Sequence, residues 1–134
     1  QNGQYATLDN RVAAQADVFP DSFVIDRTAG TLANEFAPNA GNNVTIRGSD
    51  ATGAAAAGNA ARFVTIVYGD VPSRVCMKLV PGLAANFGRI LVEGASDPIV
   101  DKFNLATTDD IINEGALVTA CNSAANVDIT MTAR

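Results

Sequence analysis

Residues 62–68 read Arg62-Phe-Val-Thr-Ile-Val-Tyr68, and they decide how this chain folds. Five of these seven residues are apolar, and most are β-branched or aromatic, as is typical of a β-strand. Phe63 lies on one face of such a strand and Ile66 lies on the other. Because both faces carry apolar groups, we expect the strand to be covered on both sides, near the centre of a sheet.

The last residues carry the second clear strand pattern. From Val127 to Ala133, apolar and polar residues alternate, which indicates a strand with one buried face and one face in water. Such strands belong to antiparallel sheets, so we predict an antiparallel sheet with a strand near 126–133. Shorter strands are predicted near 31–36, 44–48 and 89–93.

Apolar residues at spacings of three and four predict a helix at the start of the chain. The helix is expected to end before Pro20 and to pack its apolar stripe on the sheet. The residues predicted to pack are Leu8, Val12, Ala16 and Phe19.

Two further helical segments each carry one of the two cysteines. The first is predicted to begin near Pro72, with Asp70 as its cap, and it carries Cys76. The second is predicted to begin at the threonines 107–108 and to end at Cys121.

The mixture of helical and alternating segments predicts an α+β fold in a single domain over residues 1–134. The N-terminal helix is expected to pack on the antiparallel sheet. Between these elements, residues 50–61 consist mainly of alanine and glycine and are predicted to form a surface loop. Residues 94–106 form a second predicted loop region.

The composition argues against several classes of function. The chain has 134 residues, no histidine and a formal net charge of -5. Because histidine is the commonest general base and metal ligand, we predict no catalytic residue, no metal site and no cofactor. The 9 Lys and Arg residues are scattered singly, which does not favour binding to nucleic acid or to an anionic membrane surface.

The two cysteines leave two interpretations open on the residues alone: two buried free thiols, or one disulfide. Cys76 and Cys121 are not spaced as a CxxC pair, so that redox motif is excluded. Two cysteines without histidine do not complete a structural zinc site.

Two segments resemble the type IVb pilins, the group that includes the toxin-coregulated pilus subunit and the thin-pilus subunits of conjugative elements. Residues 63–80 read FVTIVYGDVPSRVCMKLV, similar to the family's central strand, a Val-Pro pair, and a helix whose cysteine precedes Leu-Val. Residues 120–134 read ACNSAANVDITMTAR, similar to the family's second cysteine and last strand. Residues 1–20 are similar in pattern alone.

The resemblance implies a type IV pilin head with a disulfide between Cys76 and Cys121, enclosing a D-region over residues 76–121. It implies that the last strand lies between other strands of the sheet. It also implies that residues 1–20 are the C-terminal half of a longer helix. The upstream half, absent from this sequence, would anchor the subunit in the inner membrane before assembly and then form the fibre core.

The implied function is that of a structural subunit of an extracellular type IVb pilus, used for adhesion, cell aggregation or conjugative mating-pair contact. The implied partners are other copies of the chain in a helical fibre, the pilus assembly machinery, and a host-cell or recipient-cell receptor. The membrane is a partner through the missing helix alone. The candidate subunit contacts are Arg62, Arg74 and Arg89, which would meet acidic residues of neighbouring subunits.

Two alternatives stay open. Within the family, the chain could be a minor pilin or a pseudopilin of type II secretion. In another class, it could be an adhesive module that binds a receptor through loops 50–61 or 94–106.

Overall fold

The computed structural model describes residues 8–15, 21–34, 36, 43–56, 60–84, 86–95, 97–103 and 112–133. In chain order, the elements are α1 (Asn10–Gln15), a 3-10 turn (Asp21–Phe23), β1 (Val24–Asp26), β2 (Thr31–Leu32), β3 (Val44–Ser49), β4 (Phe63–Pro72), α2 (Ser73–Leu83), β5 (Arg89–Val92), β6 (Val100–Asp101), α3 (Glu114–Cys121) and β7 (Asn126–Ala133).

Five of the strands form one antiparallel sheet in the order β3-β4-β7-β5-β6, and β1 pairs with β2 in a separate hairpin. The α+β fold is therefore confirmed. The last strand, β7, lies between β4 and β5 in the middle of the sheet, as the family resemblance implied. Its central place allows it to bond to both neighbours along its length.

The inner face of the sheet carries the main apolar core. Ile66, Met131 and Ile90 are neighbours in one row across β4, β7 and β5. α2 covers this face with Cys76 and Val80, which have no exposed surface. Burying one large aliphatic side chain stabilises a fold by about 1.5–3 kcal/mol, so this row and α2 hold the two layers together.

α1 contacts β2 and β3 through a different face from the predicted one. Ala13 and Ala14 are fully buried, whereas Val12 is 43% exposed. The prediction that Val12 packs on the sheet is therefore wrong, because the small alanines let the helix backbone approach the strands more closely than a valine would. Of the other predicted packing residues, Leu8 is half-buried, and Ala16 and Phe19 lie outside the described residues.

The junction between β4 and α2 also differs from the prediction. Strand β4 continues through Asp70 to Pro72, and α2 begins at Ser73. Pro72 itself occupies the N-cap position, and no side chain caps the helix. Asp70 has φ 57 and lies where the register between β4 and β7 shifts, so it forms an irregularity in the strand instead of a helix cap.

Two other predicted boundaries change. The strand expected near 31–36 is limited to Thr31–Leu32. α3 begins at Glu114, where the Asn113 Oδ1 accepts a hydrogen bond from the Ala116 N–H at 3.1 Å. The start predicted at residues 107–108 lies outside the described residues.

Candidate functional site: the disulfide-bounded region and the head surface

The disulfide implied by the resemblance is present. Cys76 in α2 is bonded to Cys121 at the end of α3, with Cα atoms 5.7 Å apart, which is a usual separation for a bridge. Both cysteines are fully buried. α3 leads directly into β7, and α2 directly follows β4. The bridge therefore links the two helices that adjoin the two central strands of the sheet.

The segment enclosed by the bridge is part of the main core. It contains most of α2, together with β5, β6 and α3. Val92, Ile99 and Leu117 from this segment are buried in the same cluster as the two cysteines. The D-region therefore forms one side of the head and shares its core with the sheet.

Aromatic stacking and one lysine fix the outer edge of this region. Phe103 contacts Phe63 edge to face, with ring centroids 4.9 Å apart. The Phe103 ring also lies so close to Gly88 that a Cβ there would overlap it. The Lys102 Nζ donates to the Ala84 carbonyl at 2.7 Å, which holds the end of α2 near β6.

The three candidate contact arginines differ in what they offer to a neighbouring subunit. Arg62 and Arg74 are exposed. Arg89 pairs with Asp101 on β6, with Nε and Oδ2 3.8 Å apart, and 14% of its side chain is exposed. Arg89 therefore has an acidic partner inside the head, and Arg62 and Arg74 are the more exposed of the three.

The outer face of the sheet holds a buried chain of hydroxyl groups that the sequence analysis missed. The Ser49 and Thr65 hydroxyls are 2.7 Å apart, and the Thr65 and Thr132 hydroxyls are 2.8 Å apart. All three residues are fully buried. For Thr132 the prediction is wrong: the alternation from Val127 to Ala133 places it on the face in water, whereas its side chain is buried because Thr65 supplies a hydrogen-bond partner.

A turn over residues 50–56 covers this hydroxyl chain. The Arg47 guanidinium donates to the Gly53 carbonyl from Nη2 at 2.6 Å and from Nε at 3.2 Å. Gly53 is buried against Thr132 and Thr65. The first half of the predicted alanine-rich loop is thus fastened to the sheet by a charged residue of β3.

Asp50 organises the same turn. Its Oδ1 accepts from the Thr52 hydroxyl at 2.6 Å and from the Thr52 and Ala54 N–H groups at 2.8 and 3.2 Å. The Thr52 hydroxyl, together with these backbone donors and the charge of Arg89, lowers the pKa of Asp50 below its ordinary value of 3.8, although burial opposes the shift. The ionised carboxylate therefore supports the turn.

The described surface also carries apolar features. A groove of about 310 Å³ lies between α2 and the sheet, lined by Phe36, Ile66, Tyr68, Leu79, Leu83, Phe87 and Met131. Large apolar side chains are exposed at Val12 and Ile25 and, on α3, at Val118, with 43%, 50% and 47% exposure.

Within the described ranges, no helix has both the length and the apolar character needed to cross a membrane. The same residues contain no group of three or more acidic or cysteine side chains arranged to hold a metal ion.

The whole chain, residues 1–134, matches the model of the family described as PilS N terminal, a type IVb pilin-related family. The chain belongs to this family. No curated protein matches the chain.

As a PilS-family pilin, the chain is a subunit of a type IV pilus and assembles with copies of itself in an extracellular fibre. The disulfide and the five-stranded sheet around β7 form the head of this pilin. Three features bear on its role: the D-region side of the head, the exposed arginines, and the side where α1 contacts β2 and β3.

Proposed function

We propose that this chain is the major subunit of a type IVb pilus, and that the fibre serves adhesion, cell aggregation or conjugative mating-pair contact. The alternative within the family is a minor pilin or a type II secretion pseudopilin. Purified fibres distinguish the two, because a major subunit makes up most of the fibre protein by mass. A trace amount in normal fibres would contradict the proposal.

The observation that carries the proposal is the placement of exposed apolar residues on two sides of the head. Val12 lies on α1, which contacts β3, and Val118 lies on α3, which contacts β5. In the sheet, β4 and β7 lie between β3 and β5, so the two helices contact different parts of the sheet. Repeated contacts between two different surfaces build an open helical filament, so a head with distinct surfaces on opposite sides suits a fibre subunit.

The exposed arginines are proposed to add charge contacts between subunits. The chain is acidic, with a net charge of -5, so Arg62 and Arg74 are cations on a mainly anionic surface. Facing an acidic patch of the next copy would orient the contact more than strengthen it. Arg89 is the least exposed of the three candidates, with 14% of its side chain exposed beside Asp101.

The test is charge reversal in cells that make the pilus. Arg62→Glu and Arg74→Glu should each reduce the number of fibres seen by electron microscopy. Circular dichroism of the head should stay unchanged, since single surface charges alter stability by about 0.5 kcal/mol or less. Lys78→Glu is the matched control, because Lys78 is an exposed cation on the same helix as Arg74. Normal fibres from both arginine variants, or equal loss in the control, would contradict these contacts.

The membrane stage of the life cycle is also proposed. A longer N-terminal helix upstream of residue 1 would anchor the subunit in the inner membrane, with the head in the periplasm, until the assembly machinery extracts it. The buried disulfide supports an oxidising compartment for the head. Fractionation of cells that lack the assembly machinery should find the pilin in the inner membrane.

A receptor-binding role is the second candidate, and one observation favours it. A concavity of about 230 Å³ with mixed polar and apolar walls is lined by Gly94, Ala95 and Asp97 on one side and by Asn113 and residues of α3, including Thr119, on the other. Its polar groups could accept a hydroxyl-rich ligand. A binding assay of the head on host or recipient cells tests this, with Thr119→Arg as the blocking variant.

A further inference from the structure

One edge of the five-stranded sheet is formed by β3, which among the described strands pairs with β4 alone, and Ser49 at its end makes one isolated bridge to Ala55. The free side of an edge strand presents unpaired N–H and C=O groups, and these can pair with a strand of another molecule. Each copy of this chain presents the same edge. Two such edges are complementary in antiparallel alignment, so a second copy is the natural occupant of an open β3 edge.

The side chain of Asn10 occupies this edge. Its Nδ2 donates to the Val44 carbonyl at 3.0 Å, and its Oδ1 accepts from the Ile46 N–H at 2.8 Å. In a parallel pair of strands, one residue bonds to the carbonyl before and the N–H after its opposite residue. The Asn10 carboxamide has the donor and the acceptor of a peptide group. It bonds to the residues before and after Thr45, as an opposite residue in a parallel strand would.

Other groups extend the protection along the same strand. The Gly48 N–H donates to the Leu8 carbonyl at 3.4 Å, and the Gly48 carbonyl accepts from the Ala56 N–H at 3.4 Å. Asn10 is the first residue of α1. The contact that closes the edge therefore also fixes where the helix sits on the head.

We infer that the Asn10 carboxamide guards the β3 edge against strand addition by a second copy of this chain, and that it holds α1 in place on the sheet. A pilin must reach high local concentration while it assembles through defined contacts. An open edge would offer a competing way for heads to associate. This guard role is separate from the choice between major and minor pilin.

The test compares the 134-residue chain with Asn10→Leu, which keeps the side-chain size and removes both hydrogen bonds. The Ile46 amide should exchange with solvent about tenfold faster, as expected for the loss of roughly one hydrogen bond. The variant should also form oligomers whose fraction rises with concentration, measured by size-exclusion chromatography with light scattering. Gln15→Leu is the matched control, because Gln15 is an exposed amide on the same helix, and it should remain monomeric.

A second variant keeps the test decisive if Asn10→Leu folds poorly. Asn10→Asp keeps an acceptor for the Ile46 N–H and replaces the donor to the Val44 carbonyl with a repelling oxygen. Because the Ile46 N–H keeps its acceptor, the readout for this variant is the oligomer fraction, which should rise with concentration as it does for Asn10→Leu. Monomeric variants with unchanged Ile46 exchange would overturn the inference. An equal rise in exchange at Ile46 and throughout β7 would also overturn it, because that result indicates global destabilisation instead of an opened edge.

Discussion

Gly53 lies against Thr132 on the outer face of the sheet, so close that a Cβ at Gly53 would stand 3.3 Å from the Thr132 Oγ1. Gly53 also has φ +85, a conformation that residues with side chains rarely adopt. The turn over residues 50–56 can thus reach the buried hydroxyl chain because this position lacks a side chain.

Gly53→Ala should therefore destabilise the head by about 1–2 kcal/mol, from backbone strain and the tight contact with Thr132. Thermal unfolding should show a midpoint lower by roughly 3–8 °C. Gly82→Ala is the control. Gly82 lies inside α2 with open space around it, and alanine there should raise stability by up to about 1 kcal/mol. An unchanged midpoint for Gly53→Ala would mean that the turn does not pack as described.

The hydroxyl chain predicts that substitutions at Thr65 and Thr132 have non-additive effects on the free energy of unfolding. Thr65→Val removes the middle hydroxyl and leaves the Ser49 and Thr132 groups short of a partner, which should cost about 1–3 kcal/mol. Thr132→Val alone should also destabilise. The double variant should cost less than the sum of the two, because the second change removes a group that the first has already left unpaired. Denaturant unfolding of the four proteins measures this coupling, and simple additivity would contradict it.

The disulfide should contribute strongly to stability. Cys76 and Cys121 are separated by 45 residues, and the chain-entropy model gives about 4 kcal/mol for a loop of that size. Reduction should lower the unfolding midpoint by more than about 10 °C. A variant with both cysteines changed to serine serves as the control and should not respond to reductant. A shift of a few degrees in the native head would show that the bridge contributes little.

Acid should loosen the 50–56 turn through Asp50. Because the folded pKa of this carboxyl is lowered, its contribution to stability is fully present above its ordinary value of 3.8 and is lost as the pH falls through the folded pKa. Hydrogen exchange at the Thr52 and Ala54 amides, corrected for intrinsic rates, should then rise in acid. Asp50→Asn should flatten this dependence because it cannot titrate. The same acid response in both proteins would exclude Asp50 as its source.

Some of the fold follows directly from local patterns. The apolar run that begins at Phe63 and the alternation from Val127 to Ala133 each identify a strand, because side chains alternate between the two faces of any strand. These two strands pair with each other along the centre of the sheet. The family resemblance added the bridge between Cys76 and Cys121, which the residues alone left open.

For the predicted site, too, one part follows from the sequence and another part depends on the tertiary structure. Arg74 and Arg62 are exposed, as contacts in a fibre require, but the pairing of Arg89 with Asp101 depends on which strands are neighbours. β5 and β6 become neighbours through the register of the sheet, with Arg89 opposite Asp101. A sequence does not reveal that register, so the pairing of Arg89 with Asp101 was not predictable from it.

The sequence by itself determined the two central strands, the helical segments and the family, because these depend on short-range periodicity and on motifs contiguous in the chain. The two-residue strand β6 lies inside the predicted loop 94–106, because so short a strand has no periodicity of its own. The tertiary structure decided which face of α1 is buried, how Asp70 continues β4, and how Arg47 fastens Gly53 over the sheet. Each of these depends on groups that meet across the fold. Small residues such as Ala13 have no strong preference of their own, and their burial follows from how closely two backbones approach. A polar residue such as Thr65 is buried when neighbouring strands supply its hydrogen bonds, and that supply exists once the sheet has formed.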